Sequence, residues 1–308
     1  MSYLYYPGCS LQTSASEYDV SAKAVMRALG QPLVEIEDWN CCGATAIEGS
    51  SYLLAMALPA RTLALANKVG GQLVATCSSC FLNLFRVKAH VEKDPWLKPN
   101  LDSILAEIGL TYNPDLRVRH LLDVVVNDIG LEAVKERVRQ KLSGLVVAPY
   151  YGCQIVRPYA EFDGPDLPTS MDQLITALGA EVLTPYMMKT RCCGGSLMTT
   201  KKSVATKLVG DILMAAREAD CIVTVCPLCQ LNLDAFQGSA SRHVGVSLNV
   251  PVMYFTQLIG LAFDLPEEDL KLGNLIVPAS KLLSHLRTQR KLANQQKVPA
   301  QSQSEVRR

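Results

Sequence analysis

Short, continuous apolar runs open each half of the chain. Tyr3–Tyr6 leads into Gly8-Cys9, and Leu145–Ala148 leads toward Gly152-Cys153. Runs of this length, rich in aromatic or β-branched residues and followed by glycine, predict buried strands. Gln72–Thr76 and Ile222–Val225 form a second such pair, each ending at a C-x2-C element. Val34–Ile36 and Val182–Leu183 form a third, ahead of two CCG elements. Helical stretches are predicted between them, over 17–29, 51–69 and 81–92 in the first half and over 170–178, 202–218 and 228–236 in the second. Strands alternating with helices predict an α/β fold: two related lobes with parallel-rich sheets and flanking helices, arranged as a pseudo-twofold internal repeat. Ligands in such folds gather beyond the carboxyl ends of the strands. The cysteines that follow these strands are therefore expected to meet at one rim of each sheet.

The stretch 94–143 interrupts the repeat. DPWLKPN and YNPD punctuate it as turns, and Leu121–Leu142 reads as helical. The chain accordingly divides into a first repeat at 1–93, a connecting helical segment at 94–143, a second repeat at 144–260 and a C-terminal extension at 261–308. After about 281 the periodicity gives way to Gln, Ser and Lys, and disorder or docking to a partner is expected there.

Composition narrows the classes. The chain has 308 residues, 49% of them apolar and 19% charged, which describes a compact protein with room for two domains. A net charge of +1 gives no overall field that would attract nucleic acid. Charge is uneven, however, with seven Lys/Arg and one acid between Lys281 and Arg308. The opening MSYLYYPGCS lacks the basic and apolar regions of a secretory signal, and no run of eighteen apolar residues predicts a membrane span. A cytoplasmic location is expected. Eleven cysteines in a reducing compartment suggest metal ligands or catalytic groups before disulfides.

Ten of these cysteines form two sets in the same order: Cys9, Cys41, Cys42, Cys77 and Cys80, then Cys153, Cys192, Cys193, Cys226 and Cys229. Equivalent members lie 144, 151, 151, 149 and 149 residues apart. The flanks agree as well, with PGC against YGC and CCGA against CCGG. Chance yields a single C-x2-C easily but not this whole set twice.

Thiolates are soft donors, suited to iron–sulfur clusters, zinc and copper(I). A structural zinc site commonly draws four ligands from two Cys or Cys/His pairs. Each set here offers one C-x2-C, an adjacent Cys-Cys and a distant fifth cysteine. Neighbouring side chains in extended backbone point to opposite faces, which suits a core of several irons better than one small ion, although zinc remains an alternative. Gly43 and Gly194 permit a sharp turn at positive φ and bring backbone N–H groups near the sulfurs. Gly8 and Gly152 precede the first cysteine of each set in the same way. The ferredoxin pattern C-x2-C-x2-C-x3-C-P is absent.

Other residues carry blander readings. Cys221 has no counterpart and begins an apolar strand, so a small core residue is expected. His90, His120, His243 and His285 are scattered without ligand spacing. Gly70-Gly71 and Gly194-Gly195 do not make a nucleotide-binding fingerprint. Residues 51–66 read as a core helix.

With its two CCG elements, each having an upstream Gly-Cys and a downstream C-x2-C, the chain resembles the B subunit of heterodisulfide reductase and its bacterial relatives over roughly residues 1–260. The resemblance implies two non-cubane [4Fe-4S] clusters, one on each quintet of cysteines named above. It implies cleavage or formation of a disulfide between them, with no protein acid or base assigned. A ferredoxin-like C subunit and a flavin-containing A subunit would be partners, and a thiol or disulfide the substrate. Other CCG-repeat proteins serve succinate, lactate or glycerol-3-phosphate oxidation and pass electrons toward quinone. That leaves open an electron-transfer or docking role without a disulfide substrate.

Overall fold

The computed structural model describes residues 3–44 and 47–296. The chain starts with β1 (Tyr3–Tyr6), α1 (Ser16–Ala28), β2 (Leu33–Glu35), α2 (Tyr52–Val69), β3 (Gln72–Ala75), α3 (Ser78–Lys93), α4 (Leu97–Ala106) and β4 (Val118–His120). A helical segment follows, α5 (Leu121–Asp123) with a π-helical stretch at Val124–Gly130, and after a break at Gly130 (φ +88°, ψ 149°) comes α6 (Leu131–Arg137). The second half brings β5 (Val146–Tyr150), α7 (Ser170–Ala177), β6 (Glu181–Val182), α8 (Lys202–Ala215), β7 (Cys221–Thr224), α9 (Pro227–Ala235) and α10 (Gln237–Val244). It closes with β8 (Val252–Tyr254), α11 (Phe255–Ala262), α12 (Glu267–Leu270) and α13 (Ser280–Gln296).

Two four-stranded parallel sheets result, ordered β2-β1-β3-β4 and β6-β5-β7-β8. The α/β fold with two related lobes is thus as the strand and helix alternation predicts. Local chemistry explains the element ends that matter for function. The Ser51 hydroxyl accepts from Leu54 N–H at 3.2 Å and caps α2. Pro227 sits in the first turn of α9, where a missing N–H costs nothing.

Among the described residues, the sheets also contain two strands that the apolar runs do not reveal. β4 lies in the segment 94–143, which therefore completes the first sheet as well as connecting the lobes. Arg119 within β4 is buried because its guanidinium pairs with Asp123 at 2.5 Å and Asp128 at 3.1 Å. β8 completes the second sheet in the equivalent place. The helices after these strands cross between lobes: α11 packs on α1, and α6 packs on α7. One apolar core consequently spans both halves, joining Tyr18, Val25, Leu121, Val125, Met171, Leu174, Tyr254 and Leu258. Smaller cores sit outside each sheet, under α2–α4 and under α8–α10.

The C-terminal expectation needs correction. Residues from Ser280 to Gln296 are helical rather than irregular. Leu282 and Leu286, four apart, are buried, and Gln140 donates to the Leu286 carbonyl at 2.8 Å while Gln289 donates to the Ser143 carbonyl at 2.6 Å. Residues 297–308 lie outside the described part. Among the described residues no helix is long and apolar enough to cross a membrane.

Candidate metal centres

Each sheet delivers its five cysteines to one rim. In the first lobe Cys9 follows β1, Cys41 and Cys42 follow β2, and Cys77 caps α3 directly after β3, with Cys80 in its first turn. The Cys9 and Cys41 sulfurs are 3.6 Å apart, and those of Cys42 and Cys80 are 3.5 Å apart. In the second lobe the Cys193 and Cys229 sulfurs are 3.4 Å apart, and the Cys153 and Cys192 thiols face each other. Both sets are layered alike. Cys42, Cys77 and Cys80 are buried while Cys9 and Cys41 are exposed; Cys193, Cys226 and Cys229 are buried, Cys153 is half-buried and Cys192 is exposed. Each centre thus has a dry floor and a wet mouth. Cys9 and Cys41 also line an open groove of about 630 Å³ with Gln12 and residues 35–40.

The buried floors meet. Cys77 of the first lobe and Cys226 of the second face each other across the lobe boundary, where the Tyr18 hydroxyl reaches the carbonyls of Thr76 and Val225, the residues just before them. The two sets are adjoining parts of one buried junction.

The four glycines named from the sequence all lie at the rims with positive φ. At Gly8 (φ +74°) an added Cβ would stand 2.8 Å from the Cys80 sulfur, and at Gly152 (φ +71°) 3.2 Å from the Cys229 sulfur. Glycine is required there on both counts, since an L side chain is strained at this φ and would displace a thiol. Gly43 and Gly194 both sit at φ +74°, and the Gly194 N–H approaches the Cys192 sulfur at 3.4 Å.

Mutual influence among the thiols splits each set: Cys41, Cys77 and Cys80 are raised, as are Cys153 and Cys229, while Cys226 is lowered and Cys42 is held down at about 3 by its neighbours Cys41 and then Cys80. The lowered members supply the thiolate character that metal binding demands. Cys192 is lowered to about 6, chiefly by the facing Cys153 thiol and against the opposing effect of partial burial. Cys221 lies buried in the core of β7, and burial pushes its thiol up.

Supporting residues absent from the sequence reading repeat with the cysteines. The Asn83 amide donates to the Cys42 carbonyl at 3.3 Å, and the Asn232 amide to the Cys193 carbonyl at 2.7 Å. Tyr6 donates to the Asn40 carbonyl at 2.8 Å and Tyr150 to the Arg191 carbonyl at 2.5 Å, each holding the residue just before a Cys-Cys pair. The signal was present: both halves read C-x2-C-x2-N and Y-x-G-C. Of the histidines, His120 alone is fully buried, beside the junction; His90 and His285 are half-buried and bond to Tyr52 and Ser143, and His243 is exposed.

An all-sulfur donor set, glycine cradles and converging buried thiols fit an iron–sulfur group. Among the described residues no group of three or more His, Cys, Asp or Glu side chains is arranged to hold one metal ion. The fit rests on donor chemistry and close backbone approach, not on preset coordination geometry.

Comparison with known proteins agrees. The family described as "Cysteine-rich domain" (CCG) matches residues 3–85 and again 147–234. This chain belongs to that family, in the duplicated form of the heterodisulfide reductase B subunit, and is an iron–sulfur electron-transfer protein of the oxidoreductase class. It is 37% identical over 284 residues to the 8-methylmenaquinol:fumarate reductase membrane anchor subunit of Wolinella succinogenes, covering 91% of this chain and 98% of that one. It is 29% identical over 294 residues to a protein of Archaeoglobus profundus described as like the B subunit of heterodisulfide reductase, covering 92% and 97%. It is also 28% identical over 272 residues to the B subunit of the ferredoxin/F(420)H(2)-dependent CoB-CoM heterodisulfide reductase of Methanosarcina acetivorans, covering 86% and 90%. A solved hypothetical protein from Helicobacter pylori shares the fold, with a TM-score of 0.70 at 15% identity, over 90% of this chain and 52% of that one.

Proposed function

We propose that Cys9, Cys41, Cys42, Cys77 and Cys80 hold one non-cubane [4Fe-4S] cluster and that Cys153, Cys192, Cys193, Cys226 and Cys229 hold a second. The chain then serves as the catalytic subunit of a heterodisulfide reductase-like complex that cleaves or forms a disulfide or related sulfur–sulfur bond. Disulfide cleavage consumes two electrons and two protons and releases two thiols. Bound clusters would supply one-electron steps and iron as a Lewis acid for sulfur. The chain itself contributes the rest. The mouth at Cys9 and Cys41 opens onto a groove able to admit a thiol-bearing substrate, and the buried floors exclude water. The turns that carry Cys77 and Cys226 lie side by side, with one Tyr18 hydroxyl 3.0 Å from the Thr76 carbonyl and 3.3 Å from the Val225 carbonyl, and this adjacency of the two centres is the observation that supports the reading. Because the chain lacks a ferredoxin pattern, electrons would come through a ferredoxin-like C subunit and a flavin-containing A subunit. The working place would be the cytoplasm or its membrane face.

A second reading is favoured by the 37% identity to a quinol:fumarate reductase subunit along almost its whole length. In it the chain passes electrons between a quinone-linked dehydrogenase and the membrane without a disulfide substrate. The complex purified without oxygen decides between them. Thiol release from added disulfides with reduced viologen as donor is expected. Quinol-dependent reduction of a dicarboxylate acceptor without thiol release would overturn the first reading in favour of the second.

A further inference from the structure

Tyr18, at the start of α1, is fully buried and belongs to neither ligand set. Its hydroxyl lies 3.0 Å from the Thr76 carbonyl and 3.3 Å from the Val225 carbonyl. These are the residues immediately before Cys77 and Cys226, one in each lobe. A single phenol therefore ties together the two turns whose thiols meet. Its ring is held by a parallel stack on Tyr254, with centroids 4.0 Å apart and planes 8° apart. A second buried group faces the same place. His120 accepts from Leu122 N–H at Nδ1 (3.1 Å), so its proton sits on Nε2. That Nε2 has no hydrogen-bond partner, and the imidazole packs edge-on against Phe81, so His120 fills space beside the junction without bonding to either turn. The Thr224 hydroxyl is also buried without a partner.

Resting on the two-cluster reading, we infer that Tyr18 is a positioning residue. Its hydroxyl clamps the Thr76–Cys77 and Val225–Cys226 turns together and thereby sets the separation, and hence the electronic interaction, of the two iron–sulfur centres. It touches no reacting atom. Its donor is aimed at backbone, so it acts on where Cys77 and Cys226 stand and not on what they bind.

The test compares the full chain, loaded with clusters, with Tyr18→Phe, which keeps the ring and removes the donor. The readouts are iron and sulfide content, the spectrum of each centre, and the spin–spin interaction between the two centres by electron paramagnetic resonance. In the wild type the interaction is expected as splitting or enhanced relaxation. In Tyr18→Phe it should fall at least about threefold with both centres still present. A merely structural role would not move it at constant iron content. An unchanged interaction in Tyr18→Phe, or none in the wild type, would overturn the inference. If Tyr18→Phe sheds iron, Tyr254→Phe, which keeps the stacked ring and leaves the Tyr18 hydroxyl in place, should retain both centres and the wild-type interaction, and loss of the interaction there also counts against the clamp. Absence of iron and sulfide from the wild type would instead remove the cluster reading itself, so the two failures are distinguishable.

Discussion

The glycine cradles allow a graded test of the first centre. Gly8 and Gly30 have nearly the same φ, +74° and +75°, but a Cβ at Gly30 meets nothing within 4 Å whereas one at Gly8 lies 2.8 Å from the Cys80 sulfur. Gly8→Ala and Gly30→Ala both place an L residue at positive φ, a cost of about 1–3 kcal/mol. Gly8, at ψ 167°, lies in a region confined almost wholly to glycine, so Gly8→Ala carries the larger backbone cost as well as the thiol contact, and iron content separates the two effects. Overpacking of a tight interior typically adds about 1–3 kcal/mol. Because the sulfur must yield by several tenths of an ångström, the metal site should feel it most. Thermal unfolding with parallel iron analysis provides the assay. At roughly 2–4 °C per kcal/mol, Gly30→Ala should cost a few degrees with iron unchanged. Gly8→Ala should fall clearly further and lose the spectral signature of one centre. Gly152→Ala, with its Cβ 3.2 Å from Cys229, should fall between them and affect the other centre. Gly8→Ala that unfolds with Gly30→Ala and keeps all its iron would refute the claim that Gly8 is needed for the approach to Cys80.

Further outcomes follow from the same geometry. Cys41→Ser and Cys192→Ser should each remove one centre and largely spare the other, while Cys221→Ser should lower stability but not iron content; spectra that fail together would deny separate ligand sets. Asn83→Ala and Asn232→Ala each free a buried Cys carbonyl, a loss of about 1–3 kcal/mol, and should speed loss of iron from one centre under chelator, with equal rates in variants and wild type counting against the role. Asp128 is held below the ordinary aspartate value of 3.8 first by the Tyr3 hydroxyl and then by Arg119, against partial burial. Since its folded value is depressed, the stabilisation is complete above 3.8 and drains away as pH falls below it. Urea denaturation should show the gap between wild type and Asp128→Asn closing in acid, and a gap that widens there would be the wrong sign.

Much of the architecture could be read before any coordinates. Six of the eight strands among the described residues come from apolar runs ahead of Gly-Cys, CCG or C-x2-C; burial on both faces marks β1, β3, β5 and β7, whereas the exposed edge strands β2 and β6 are legible from their place ahead of the CCG elements. β4 was hidden because Arg119 and His120 are two of its three residues, and their burial depends on Asp123, Asp128 and backbone brought up by the fold. β8 was hidden because Val252–Tyr254 runs directly into the apolar helix α11, with no turn residue between. The helical character of α13 escaped notice because its apolar stripe is short and its anchors, Gln140 and Ser143, lie some 140 positions away. For the centres, spacing alone brought out all ten cysteines and four glycines. The meeting of Cys77 with Cys226 was not visible, since it depends on how α1, α6, α7 and α11 pack between the sheets. Asn83 and Asn232 were readable in principle, at the same offset as the C-x2-C pair, had the repeat been compared beyond its cysteines.

Metal analysis bears most directly on the whole account. The protein purified without oxygen should be brown and contain several irons per chain with a matching amount of acid-labile sulfide, and Mössbauer spectra should resolve two polynuclear centres. Two zinc ions per chain with no labile sulfide would contradict it.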